Sequence, residues 1–332
     1  MADHRAGPAE HRATLSARPR HPMALVGRAG ADAGGSGSDR APDAPRPTAV
    51  RDAATVVLLR DAPGGRGVEA YLLRRAAGMD FAGGMYAFPG GRVDPTDLGP
   101  DLPWAGPPAD DALRVLAADP ALAQALVCAA VRETFEECGV LLAGPATYPA
   151  GAGGQDVPDG RDEPGARLRE LAVRVAARVA LESHELALSD LLREHGLALR
   201  GDLLAPWARW ITPEIEPRRY DARFFVAALP AGQTPGQPNR EASSMEWIRP
   251  AHALERHDAG TMQMLRPTAF TLAELSEHDD VASVLAAAHG RDLSPIIPRI
   301  MISGDEAHRL LPHDEAYENP TGAGAAPADE PA

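Results

Sequence analysis

A chain of 332 residues with a formal charge of −14, and with no lysine among its thirty-three basic residues, excludes several functions at the outset. An acidic surface repels the phosphate backbone of DNA or RNA, and without an amine side chain there is neither a Walker A phosphate loop nor a lysine Schiff base. No apolar run approaches the roughly twenty residues of a membrane span, and the two cysteines, Cys128 and Cys138, sit on one predicted helix where their side chains do not meet, so a reduced cytoplasm is expected rather than a disulfide framework.

Residues 1–50 are rich in Ala, Gly, Pro, Arg and Asp and lack aliphatic periodicity, which predicts a disordered tail. Its acids, Asp3, Glu10, Asp32, Asp39 and Asp43, argue against an organelle transit peptide. The folded part begins near Asp52. Ala54–Arg60 and Val68–Leu73 read as strands of a hairpin, and Met85–Phe88 as a short strand leading into Pro89-Gly90-Gly91. Residues 98–120 read as a Pro/Gly/Asp loop that turns helical near Asp110, an excursion that leaves the fold and returns.

Past a flexible stretch at 151–164, the spacing of Leu168, Leu171, Val175 and Val179 predicts a helix over Arg167–Leu181, and Glu185–His195 a second one ending at Gly196. Leu199–Leu204, Ala208–Ile211 and Ala222–Leu229 read as strands, the last with a buried pair, Phe224 and Phe225. After a polar loop at 230–240 come a strand at Glu246-Trp247-Ile248 and helices over Ala251–Arg256, Arg266–Leu275 and Val281–Ala288. His252, His257 and His278 read as solvated. A second tail begins near Asn319.

Between these elements lies the segment that carries chemistry. No proline interrupts Ala121–Leu142, and Gly139 stands where a helix can stop. At 100° per residue Val127, Val131, Phe135, Cys138 and Leu142 fall within roughly 80°, an apolar stripe, and Glu133, Glu136 and Glu137 fall within roughly 100° on the opposite side. Like charges at this spacing repel, by a few tenths of a kcal/mol per pair on an exposed helix. Arg132 answers one of them; a hard divalent cation, bound through oxygen, answers the rest.

Gly91, Arg132, Glu133, Glu136, Glu137, Gly139 and Val140 together resemble the Nudix box, Gly-x5-Glu-x7-Arg-Glu-U-x-Glu-Glu-x-Gly-U, with U apolar. Three positions depart from it. Asp97 stands where the first Glu belongs, Thr134 occupies an apolar position, and Leu98–Val131 stands where the pattern has seven residues. The segments Trp210-Ile211-Thr212-Pro213 and Arg219-Tyr220-Asp221-Ala222-Arg223-Phe224-Phe225 are similar to the Nudix branch that also carries an insertion inside its box and includes the animal peroxisomal coenzyme A diphosphatases.

The resemblance implies an α/β/α sandwich with a mixed sheet and helical insertions. The Nudix domain is expected over 51–276, with insertions at about 98–125 and 150–197, followed by a helical extension over 277–318 and a tail over 319–332. It implies hydrolysis of a diphosphate, with Mg²⁺ or Mn²⁺ held by Glu136 and Glu137 and by Glu133 directly or through water. Gly90 and Gly91 would shape the phosphate loop and Arg132 would orient the acids. Asp97, one methylene shorter than Glu, would reach a metal only through water. Glu133 or Glu241, the latter on a loop that closes over substrate, would take the water's proton. Coenzyme A or its thioesters, nucleotide sugars and dinucleoside polyphosphates share the same diphosphate and stay open as substrates. A non-catalytic nucleotide sensor and a scaffold with a solvated acidic helix are the readings from other classes. The partner is a small molecule, and oligomeric state stays open.

Overall fold

A computed structural model describes residues 49–79, 81–99, 102–105, 115–145, 174–303 and 306–311. Residues 1–48 of the expected N-terminal tail, the C-terminal tail, the helix near Asp110 and the first half of the helix over Arg167–Leu181 lie outside the described residues, and Val50, placed in the tail, opens the first strand.

The chain forms two units. The larger consists of Arg51–Trp210 with Asp221–Pro295; the smaller takes Ile211–Tyr220 with the described part of the chain from Ile296. In sequence order the strands are β1 (Val50–Asp61), β2 (Val68–Arg75), β3 (Tyr86–Ala87), β4 (Gly90–Arg92), β5 (Trp104–Ala105), β6 (Ala143–Pro145), β7 (Leu197–Arg200), β8 (Ala205–Ile211), β9 (Arg219–Ala228), β10 (Ala242–Ile248), β11 (Arg299–Ser303) and β12 (Glu306–Leu310). The helices are α1 (Pro120–Cys138), α2 (174–182), α3 (Leu188–Glu194), α4 (Pro250–Asp258), α5 (Arg266–Leu275) and α6 (Val281–Ala288).

The main sheet runs β10-β2-β1-β9-β8, with β3 on β2 and β4 on β1. Ala54 and Val56–Leu59 of β1 are all fully buried, the pattern of a strand covered on both faces. The neighbours Phe224 and Phe225 of β9 are both buried; they point to opposite sides, so that strand too is covered twice. Together with α1 and the other helices this makes an α/β fold, as expected.

The box helix α1 starts at Pro120, earlier than the insertion limit of about 125. Asp119 caps it, accepting from the Ala121 N–H at 3.0 Å, with Pro120 in the first turn. It stops at Gly139, whose φ of 72° is the left-handed cap conformation. The expected amphipathic helix is buried on nearly every side, acids included. Thr134 fits its apolar position because its hydroxyl donates to the Ala130 carbonyl at 2.7 Å.

Several expectations need correction. The first insertion is not a free excursion: β5 runs parallel to β7, where the second insertion ends, and β6 pairs β7 from the other side. The first insertion therefore closes a three-stranded sheet with the chain just after the box and the chain at the end of the second insertion. Leu116 is buried in the core, and its carbonyl accepts from Arg223 Nε at 3.1 Å. Strand β7 ends at Arg200 rather than Leu204, since a 3₁₀ turn, Gly201–Leu203, follows. On α2 the buried side chains are Ala177 and Leu181, whereas Val175 and Val179 are more than half exposed. The register read from apolar residues alone was displaced by the small Ala177. Finally, the helical extension over 277–318 holds α6 and then an antiparallel hairpin, β11–β12.

Candidate active site

Strand β4 pairs with the N-terminal half of β1, and that pairing lays Gly90 and Gly91 along one side of α1. The Gly90 N–H donates to Glu137 Oε2 at 2.8 Å. A Cβ on Gly91 would lie 2.2 Å from Glu133 Oε1, so the loop is glycine because a carboxylate occupies the place of its side chain.

Arg132 holds the other acids. Its Nε and Nη2 each meet one oxygen of Asp97 at 2.9 Å, a bidentate fork. Nη1 donates to Glu133 Oε1 at 3.0 Å and to Glu136 Oε2 at 3.2 Å, and Nη2 also reaches the Arg92 carbonyl. Asp97 Oδ2 accepts in addition from the Asp94 N–H at 2.8 Å, closing a capping box on the 3₁₀ turn Pro95–Leu98. Both Asp97 oxygens are thus turned to Arg132.

Asp97, Glu133 and Glu136 are three carboxylates gathered about the Arg132 guanidinium, and Glu137 stands within reach of the Glu133 charge. Burial pushes the Glu133 carboxyl up to about 7, against the pull of Arg132 and with a further push from Glu136 and Asp97. Burial also raises the Glu136 carboxyl from its ordinary value, against Arg132. Glu137 stands well above its own ordinary value through burial and the Glu133 charge, with the Gly90 N–H and Arg75 working the other way. Arg132 is held firmly charged: burial opposes its charge, but Asp97, Glu133 and Glu136 outweigh it. Cys128, beneath the cluster, keeps its proton because burial and the neighbouring Asp97 both raise it.

Glu241 is exposed and lies where β10 begins. Its carbonyl accepts from the Ala76 N–H at 2.8 Å, its N–H donates to Asn239 Oδ1 at 3.1 Å, and its charge acts on Glu137. The loop before it is not free to swing. Gln233 donates to the Leu141 carbonyl and accepts from the Leu141 N–H, at 2.8 and 2.9 Å, and the Gly236 N–H donates to the Cys138 carbonyl at 2.7 Å. The closing loop expected from its polar composition is stitched to the end of α1.

Three contributors carried no sequence signal. Arg178 of α2 donates to the Glu136 and Glu137 carbonyls. Glu182, one turn later, adds negative potential at Glu136. Arg75, at the end of β2, acts on Glu137 from the opposite side. Each lies far from the box in sequence, and only the fold brings them to it.

Among the described residues no three acidic, histidine or cysteine side chains converge tightly enough to enclose an ion as they stand. The donor set nevertheless fits a hard divalent cation. It offers carboxylate oxygen alone, Glu137 has one neutral N–H as its hydrogen-bond partner, and the four carboxyl groups outnumber Arg132 and Arg75.

An α/β fold with a glycine loop laid against a buried Arg-Glu-x-x-Glu-Glu helix end defines a Nudix hydrolase. Residues 108–275 match the family described as the NUDT19 Nudix domain, and the chain belongs to that family. It is 27% identical over 313 residues, 82% of this chain and 81% of the relative, to the acyl-coenzyme A diphosphatase NUDT19 of Gallus gallus. It is 26% identical to that of Homo sapiens over 82% of each chain. The crystal structure of a NUDIX hydrolase from Alicyclobacillus acidocaldarius is similar, with a TM-score of 0.53 and 29% identity over 72% of this chain and 96% of that one. Nudix hydrolases generally use divalent metal ions, and their reaction is hydrolysis of a diphosphate linkage. Among the described residues no helix is long and apolar enough to cross a membrane.

Proposed function

We propose that this protein hydrolyses the diphosphate of coenzyme A or acyl-coenzyme A with Mg²⁺ or Mn²⁺, giving 3′,5′-ADP and 4′-phosphopantetheine or its acyl form. The observation that carries the metal requirement is the excess of the carboxyl groups of Asp97, Glu133, Glu136 and Glu137 over Arg132 and Arg75. A poly-anionic diphosphate does not approach such a cluster without cations. The substrate class rests on the acyl-coenzyme A diphosphatases to which most of the chain is similar.

In this reading Glu136 and Glu137 hold the metal, which when bound neutralises diphosphate charge and acidifies water. Glu133 takes the proton of the attacking water: its carboxyl, pushed up to about 7, is poised for that task near neutral pH. Arg132, fixed by Asp97, keeps Glu133 and Glu136 in place. Asp97 is assigned to holding Arg132 and not to the metal. The Gly90–Gly91 loop gives the diphosphate a close approach. Glu241 remains the competing base. The unpaired, buried Cys128 and Cys138 suit the cytoplasm.

The test is a screen of the purified protein with Mg²⁺ and Mn²⁺ against coenzyme A, acyl-coenzyme A, nucleotide sugars and dinucleoside polyphosphates, with products identified by mass. The expected result is metal-dependent release of 3′,5′-ADP. Faster cleavage of several nucleotide sugars than of any coenzyme A species overturns the substrate and leaves the hydrolase class standing.

A further inference from the structure

The last turn of an α-helix leaves carbonyls without intrahelical partners. In α1 each has a named donor. The Gly139 N–H serves Phe135 at 2.8 Å and the Gly236 N–H serves Cys138 at 2.7 Å. Arg178 serves the two between: Nη2 donates to the Glu136 and Glu137 carbonyls, both at 3.0 Å, and Nε to Glu136 at 3.2 Å. The same Nη2 also donates to the Gln237 carbonyl at 3.1 Å. The residues gripped by their backbones are the two whose side chains carry the proposed metal ligands, and Gln237 lies on the loop that leads to Glu241. One guanidinium thus joins three segments: α2 from the second insertion, the acidic end of the box helix, and the tethered loop. The family's box pattern names none of these contacts.

The strongest electrostatic influences on Glu136 and Glu137 come from Arg132, Asp97, Glu182, Glu133, Arg75 and Glu241. Arg178 grips the carbonyls of Glu136 and Glu137, and so acts through where the backbone stands. A cation at a helix C-terminus also offsets the negative end of the helix dipole, and a planar fork grips several acceptors at once as a lysine ammonium does not.

We infer that Arg178 is a positioning residue for the metal-binding carboxylates, through which the second insertion sets the geometry of Glu136 and Glu137 and the place of the loop before Glu241. This rests on the metal-dependent hydrolase reading above.

The test compares wild type, Arg178→Ala and Arg178→Lys, each confirmed folded by circular dichroism. Three quantities are read: the Mg²⁺ concentration that half-saturates thermal stabilisation, kcat and KM for coenzyme A at saturating Mg²⁺, and amide hydrogen exchange over residues 136–142 and 233–241. For Arg178→Ala the Mg²⁺ requirement should rise about tenfold, as when an outer-shell partner of a metal ligand is lost. Its kcat should fall with KM little changed, and exchange should quicken in both segments together. Arg178→Lys should recover part of the loss, since it restores charge but not the fork. Wild-type turnover with an unchanged Mg²⁺ requirement and kcat in folded Arg178→Ala overturns this inference alone, as does faster exchange in neither segment. A wild type that shows neither turnover nor stabilisation by Mg²⁺ overturns the hydrolase reading and, with it, this inference.

Discussion

Two arginine–carboxylate networks, each centred on a buried arginine, lie in the larger unit, and they differ in their balance. At one end of β9, Arg223 pairs Asp52 and Asp221, each at 2.9 Å, and Arg209 pairs Asp221 through two bonds of 2.9 and 2.7 Å. Two cations meet two anions, and Arg223 Nε is spent on the Leu116 carbonyl. At the end of α1 two cations, Arg132 and Arg75, face four carboxyl groups, Asp97, Glu133, Glu136 and Glu137. A buried network assembled for structure closes its own charge, because an unpaired buried ion costs several kcal/mol. A network that leaves negative charge over is waiting for something positive.

The largest break in that comparison is Glu137→Gln. It should cut turnover roughly a hundredfold or more, the scale on which about 3 kcal/mol of transition-state stabilisation is lost. Thermal stability in chelator should hold or rise, because one member of a like-charged set is neutralised. Near-wild-type turnover at saturating Mg²⁺ would remove Glu137 from the metal site.

Arg223→Ala breaks the balanced network instead. Its expected cost is about 3 kcal/mol of unfolding free energy, since a buried charge loses its partner, at the low end because Arg209 still faces Asp221. The Mg²⁺ requirement should stay as in wild type. Denaturant melts and metal titrations on the same sample check both halves.

That contrast also shows how far the sequence could be read. The Arg-Glu-x-x-Glu-Glu helix end, its stop at Gly139, the glycine loop and most strands were legible because spacing alone puts them on one face or in one turn. The segments around Trp210 and Arg223 were legible as family resemblance. In the structure, however, Trp210 packs edge-on against Phe270 at 5.5 Å and Arg223 holds a balanced ion network, so they speak for the fold more than for the substrate. Arg178, Glu182, Arg75 and the Gln233 tether were not legible. Each works through backbone groups or through space across dozens of residues, and no local pattern marks an arginine that will grip carbonyls. The burial of α1 on its acidic side was missed for the same reason, because what covers it, the Gly90–Gly91 strand, the turn that carries Asp97 and Arg178 of the second insertion, is remote in sequence.

Gly91→Ala tests which acid is the base. The nearest atoms to its Cβ are the end of the Glu133 side chain, which can swing away, so stability should change by less than about 1 kcal/mol while Glu133 is displaced. If Glu133 takes the proton, kcat should fall about tenfold or more, the lower end of a general base's contribution, and Glu241→Gln should be the milder change. A silent Gly91→Ala beside a crippled Glu241→Gln would hand the role to Glu241.

The smallest expected effect is in pH. The Glu133 carboxyl stands at about 7 in the fold, against an ordinary 4.5, so the native state takes up a proton before the unfolded chain does. Its ionisation therefore destabilises the fold fully above pH 7, and that penalty disappears as pH falls toward 4.5. In chelator, the stability difference between Glu133→Gln and wild type should be widest above pH 7 and should shrink by pH 5; saturating Mg²⁺ should narrow it at high pH. A difference that does not vary between pH 5 and 8 would contradict the burial assigned to Glu133.

The most direct measurement is a Mg²⁺ and Mn²⁺ titration of thermal stability at pH 7.5, on wild type and Glu137→Gln side by side. The account predicts saturable stabilisation of wild type and loss of most of it in Glu137→Gln. No stabilisation of wild type, or equal stabilisation of both proteins, would mean that the surplus of carboxylates at the end of α1 is not a metal site.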